Sequence, residues 1–127
     1  MVKAIAEQDL SKYCAMINVA SFGLARPFAM TNVSSPSLGT LAEEAAASLQ
    51  LSLDVAAIPQ GDTDSSSFLK RKIPAVTLSG MTKDWPTILH TPRDQSSLII
   101  PESAYAGYRM VLSMWDRIDR QPCQAFR

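Results

Sequence analysis

Short apolar runs and amphipathic stripes alternate along this chain, punctuated by Gly, Pro and small polar residues. Tyr13–Phe22 (YCAMINVASF) is an almost unbroken apolar run closed by Gly23. A run this short, ended by Gly, predicts a buried strand. Ala4–Lys12 predicts a short helix leading into it, and Pro27–Asn32 a second short extended piece. Leu38, Leu41, Ala42, Ala45 and Leu49 then recur at helical spacing on one face. Ser35 is the expected cap of that helix. Pro36 suits its first position, where a missing N–H costs nothing, and Gly39 weakens it modestly.

Leu53–Ile58 predicts a strand ended by Pro59, and QGDTD after it a polar loop. Ser65–Lys72 predicts a short helix with Asp64 as cap, and Ala75–Leu78 a strand closed by Ser79 and Gly80. Met81–Pro101 has no clear period, and irregular segments of this length in small domains are often functional. Glu102–Arg120 predicts the longest helix, with Ala104, Tyr108, Val111, Leu112, Trp115 and Ile118 on one stripe and Pro122 beyond its end. The alternation predicts one α/β domain over residues 1–127, with a mainly parallel sheet covered by helices. In such sheets ligands collect at the carboxyl ends of strands.

Composition narrows the function classes. The 127 residues suit one core, and 46% apolar with 19% charged residues is ordinary for a globular chain. Lys plus Arg and Asp plus Glu each number 12, so the chain lacks the basic excess that phosphate contacts require; no nucleic-acid partner is expected. No apolar run reaches the roughly 18–20 residues that span a bilayer, so no membrane partner is expected. The start is broken by Glu7, Gln8 and Asp9 and does not read as a secretory signal. Cys14 and Cys123 stand near opposite ends of the chain. They allow one disulfide or two free thiols, and free thiols are the favoured reading, because spacing says nothing of their separation in space.

Few residues can carry chemistry. His90 is the single imidazole, in LHTPRD, with Asp94 four residues on. A loop histidine can bind zinc while a carboxylate fixes its tautomer, but taken locally a hydrogen-bonded structural histidine is the commoner case. Asp64 reads first as a helix cap and second as a group facing a substrate or metal ligand. Asp62 reads as a solvated loop charge. Ser65, Ser66 and Ser67 lack the G-x-S-x-G elbow of a serine nucleophile, and no phosphate-binding glycine motif is present. Trp85 reads as packing, or as a pocket wall near His90.

Three segments, INVASFG, GDTDSSSFLKRKIPAVTLSG and ILHTPRDQ, follow one another in this order. Together they resemble the C-terminal half of the co-catalytic zinc aminopeptidase family, whose superfamily includes glutaminyl cyclases and the protease-like domain of transferrin receptor. The likeness runs from about Met16 to Tyr108 and on toward Arg127. It implies a zinc-exopeptidase-like fold, part of a three-layer α/β/α sandwich. It also implies a zinc pair bridged by an Asp, held further by a His and an Asp on one metal and a Glu and a His on the other, with a second Glu as general base. The first His, the bridging Asp and the Glu–Glu pair precede the I-N-x-D strand in the family, outside the stretch that this chain resembles.

Two ligand positions are left to match. His90 matches the final His ligand. Ala20 stands where I-N-x-D has its Asp, and a methyl group binds no cation. Asp64 matches the Asp of the family's S-D-H-x-x-F segment, which lies beside the active site, although Ser65 replaces the His. Asp64, Asp94 and Trp85 are therefore candidates to brace a ligand or line a substrate pocket. No residue is expected in the catalytic role itself. A catalytic zinc takes three protein ligands, so zinc should be absent or weakly bound. The resemblance predicts a truncated or degenerate aminopeptidase-like domain, inactive alone. The alternatives are an enzyme half that needs the upstream ligands, and a domain that works through protein contacts. Half of a sandwich leaves a sheet edge uncovered, so a homo-oligomer or a separate N-terminal half is the expected partner.

Overall fold

A computed structural model of the chain describes residues 2–59 and 62–127. Gln60 and Gly61 of the expected polar loop lie outside the described residues. Among the described residues four strands form one sheet: β1 (Met16–Ala20), β2 (Phe28–Met30), β3 (Asp54–Ala56) and β4 (Ala75–Ser79), in spatial order β1-β4-β2-β3. β1 runs parallel to β4 with Asn18 opposite Thr77, and β2 runs parallel to β3. The central pair, β2 and β4, is antiparallel. The sheet is thus mostly parallel, as the alternation predicts.

Among the described residues three α-helices cover it: α1 (Pro36–Ser48), α2 (Asp64–Leu69) and α3 (Pro101–Asp119). All five residues of β4 are buried, because both of its faces are covered. Val76 and Leu78 pack with Leu38, Leu41, Ala42, Ala45 and Ala46 of α1 and with Met110 and Met114 of α3. Ala75 packs on the other face with Phe68 of α2 and with Val2 and Ile73. This is the three-layer α/β/α arrangement. Among the described residues no helix is long and apolar enough to cross a membrane.

Local expectations meet four corrections. Ser35 precedes α1, but its side chain does not cap it; the hydroxyl donates to the Ala75 carbonyl at 3.2 Å, tying the helix start to β4. Asp64 is the first residue of α2 rather than its cap. Thr63 holds the cap position in extended conformation, with its hydroxyl 2.8 Å from that of Thr77.

The buried face of α3 is Ser103, Gly107, Met110 and Met114. Of the expected stripe, Tyr108, Leu112 and Trp115 face outward, while Val111 and Ile118 lie at the core's margin. The reason is steric. A Cβ on Gly107 would lie 2.3 Å from Cε2 of Phe22, so only the glycine face lets the helix approach this closely. The bulkier stripe looked like core because it is the more apolar of two seams on one helix.

Cys14 and Cys123 are joined in a disulfide, with Cα atoms 4.4 Å apart, which overturns the free-thiol reading. The chain end returns to β1 after α3: Phe126 is buried in the main core, and the Arg127 guanidinium donates to the Leu10 and Tyr13 carbonyls at 3.0 and 3.1 Å. That return brings together sulfurs 109 residues apart.

Candidate functional site

At the carboxyl end of β1, a cleft of about 360 Å³ opens between the sheet, the start of α2 and the irregular segment after β4. Asn18, Ala20, Asp62, Asp64, Trp85 and His90 are among its walls, with Ser21, Met30, Ile58, Met81 and Leu89. Ala20, Asp64, Trp85 and His90, drawn from three distant stretches of sequence, therefore share one cavity. Asp94 does not join them. It lines an adjoining groove with Phe22, Gln95 and Ile99, and Ser21 and Leu89 form the shared wall.

Each wall has a local cause. Side chains alternate along β1, so Asn18 and Ala20 point to the α2 side, away from α1 and α3. The start of α2 is pinned by a hydroxyl network. The Thr77 hydroxyl, fully buried on β4, lies 2.8 Å from those of Ser65 and Thr63, and the Asn18 amide donates to it at 3.3 Å. This network fixes Asp62 and Asp64 against β1. The Asp62 carboxylate is held below the usual carboxylate range. The Ser66 hydroxyl donates to it, slight burial opposes this, and the Lys70 charge and the Thr63 N–H, at 3.0 Å, lower it further.

His90 sits at φ +61° and Ser21 at φ +53°, the left-handed region that non-glycine residues rarely occupy. Both face the cleft, and such backbone costs of order 1–3 kcal/mol unless its surroundings impose it. Thr91 supplies the restraint at His90. Its hydroxyl donates to the Ile88 carbonyl at 2.7 Å and accepts the Arg93 N–H at 3.1 Å. The imidazole is exposed and makes no hydrogen bond among the described residues.

The cleft shares Ile58, Met81 and Trp85 with a larger groove of about 620 Å³, walled by Phe28, Ala56, Pro59 and Pro86 and edged by Arg26, Asp54 and Lys83. Trp85 forms part of the wall of both cavities. The contributions of Asn18, Met81 and the Thr77–Ser65–Thr63 network carry no sequence signal, since threonine and serine in these positions read as ordinary strand and cap residues.

The donors do not fit a zinc centre. Among the described residues no three His, Cys, Asp or Glu side chains converge on one point. The single His shares the cavity wall with Ala20, whose methyl group binds no cation, and both cysteine sulfurs are bonded to each other.

The profile of Peptidase family M28 matches residues 2–114 of the 127. The chain belongs to Peptidase family M28. Solved structures agree on the fold. The LapA aminopeptidase of Legionella pneumophila superposes with a TM-score of 0.74 at 17% identity, over 84% of this chain and 31% of its own. The zinc aminopeptidase BSAP of Bacillus subtilis superposes with a TM-score of 0.76 at 15% identity, over 98% of this chain and 33% of its own. A second BSAP structure gives 0.76 at 14% identity, over 99% and 35%. The chain thus spans about a third of the solved proteins it matches. No curated protein sequence matches it.

Proposed function

We propose that this chain is a truncated or degenerate zinc aminopeptidase-like domain that does not hydrolyse peptides alone. The observation that carries the proposal is Ala20 in the same cleft as His90, with no converging third donor among the described residues. Zinc makes hydroxide at neutral pH by drawing the pKa of bound water toward about 7, and it does so from a site with three protein ligands. One imidazole and scattered carboxylates hold the ion too weakly to sustain that charge.

Metal content after purification without chelators, beside an assay with leucine p-nitroanilide, tests this. The expected result is zinc well below one ion per chain and no turnover. Stoichiometric zinc with turnover refutes it. Ala20→Asp is expected to tighten zinc binding, read by competition with a chromogenic chelator, without restoring hydrolysis. Unchanged affinity would mean that position 20 does not face the metal position.

A second reading is that the chain is part of an aminopeptidase, active once the upstream ligands are supplied. It is favoured by the coverage of about a third of BSAP and LapA and by the apolar groove that continues the cleft. Even then Ala20 removes one ligand, so such an enzyme would gain activity from Ala20→Asp.

A further inference from the structure

Ile58, Met81 and Trp85 stand between the cleft and the larger groove beside it. Ala20, Asp64 and His90 line the cleft side, and Arg26, Thr82 and Lys83 line the groove side. At about 620 Å³ the groove falls within the range of small-molecule pockets, roughly 300–1,000 Å³.

Sheet register gives this groove two unlike ends. Phe28 is the partner of both Asp54 on β3 and Ser79 at the end of β4. Arg26 precedes Phe28, Thr82 and Lys83 follow Ser79, and the Ala25 N–H donates to the Gly80 carbonyl at 2.7 Å. Arg26, Asp54, Thr82 and Lys83 therefore gather where β4 ends and β2 and β3 begin. From there the wall runs through Ala56 to Ile58 and Pro59, on the order of 15 Å at extended spacing. Among the described residues, every charged side chain that lines the groove sits at the first end.

The charged end is short of an anion. Asp54 pairs with Arg26 at 3.5 Å. Lys83 makes no ion pair or hydrogen bond among the described residues. Next to it in sequence, the Thr82 hydroxyl is buried without a hydrogen-bond partner. Two cations thus face one carboxylate, with a free ammonium and a free hydroxyl donor at the same end. A second carboxylate would accept from both.

The rest of the groove favours an alkyl chain over a peptide. A peptide would bring its amides against apolar side chains and two prolines, which have no N–H to offer, and each stranded amide opposes binding. Methylene groups need no partner and gain from leaving water.

We infer that this groove binds a free long-chain carboxylate, with its head at Lys83 and Thr82 and its chain against Phe28, Ile58, Met81 and Trp85. The binding needs no metal and none of the cleft's donors.

Calorimetric titration of the full chain with monomeric dodecanoate, in the presence of EDTA, tests this. The expected Kd is about 10–100 μM. In a Trp115→Phe variant Trp85 is the sole tryptophan, and its emission should shift with the same midpoint. Lys83→Glu should weaken binding roughly tenfold by setting a like charge against the head. Lys83 is exposed, so melting should not move. Thr82→Val should weaken binding about threefold while leaving melting unchanged or raised, because it removes an unpaired buried hydroxyl. A purely structural threonine would give the reverse, lower melting at unchanged affinity. Dodecyltrimethylammonium should not bind. The inference is overturned by no saturation below about 1 mM, by equal binding of the ammonium, by silent Trp85 emission, or by an affinity that either substitution leaves unchanged. Binding to phosphatidylglycerol vesicles in place of the free acid overturns it as well. The titration reads neither zinc nor turnover, so it stands or falls separately from the proposed lack of hydrolysis.

Discussion

Removing the Cys14–Cys123 disulfide should cost about as much stability as a large core truncation. The bond joins residues 109 apart, nearly the whole chain. Opening it returns to the unfolded ensemble the freedom of a loop of that size. In the chain-entropy description, a closed loop of this length is worth about 4.7 kcal/mol at 25 °C. Measured values for native disulfides cluster lower, so about 3–5 kcal/mol is the expected loss for Cys14→Ala with Cys123→Ala. The folded state keeps part of the tether, because Phe126 stays buried and Arg127 still bonds the Leu10 and Tyr13 carbonyls. Those contacts act on the native state and leave the unfolded-state term intact. With a urea slope of about 2 kcal/mol per molar, the unfolding midpoint should fall by roughly 2 M. Urea titration of oxidised, reduced and double-alanine protein, followed by tryptophan fluorescence and far-UV circular dichroism, measures it. Reduced and double-alanine protein should agree. A midpoint shift below about 0.5 M would refute the reasoning, since no plausible compensation in the folded state reaches 3 kcal/mol.

Three further outcomes are expected. Gly107→Ala gains about 1 kcal/mol of helix propensity but drives a Cβ into the Phe22 ring, an overpacking cost of about 1–3 kcal/mol, so it should destabilise the native chain. In a Phe22→Ala background the same change should be stabilising, and calorimetric melting of the four variants reads that reversal of sign. Thr77→Val removes the oxygen shared by Ser65, Thr63 and Asn18 and should cost about 1–3 kcal/mol, with amide shifts of Asp62–Asp64 moving in NMR spectra. The Asp62 carboxyl should titrate below its ordinary 3.8, and Ser66→Ala should bring it back up, both read by carboxyl carbon shifts. Since its folded pKa is the lower one, its contribution to stability is complete above the unfolded value and is lost as pH falls through the folded value.

Where the signal is local, the linear chain is informative. The Leu38–Leu41–Ala42–Ala45 period needs only 3.6 residues per turn to specify a helix and its buried face, and that face is the one α1 buries. The short apolar runs ended by Gly or Pro likewise mark β1, β3 and β4 to within a few residues. The ordered series INVASFG, DSSSF, IPA and HTPRD carries the family and the α/β/α class with it.

What depends on two distant segments meeting was decided by tertiary structure alone. Which of α3's two seams faces inward turned on Gly107 meeting Phe22, a contact across 85 residues that no helical period encodes. The joining of Cys14 to Cys123 depended on the tail folding back onto β1, and the gathering of Ala20, Asp64, Trp85 and His90 into one cleft on the parallel pairing of β1 with β4. Even the expected capping serine bonds a neighbouring strand, its hydroxyl donating to the Ala75 carbonyl at 3.2 Å. Periodicity records what one segment needs to bury; only packing chooses the surface it is buried against.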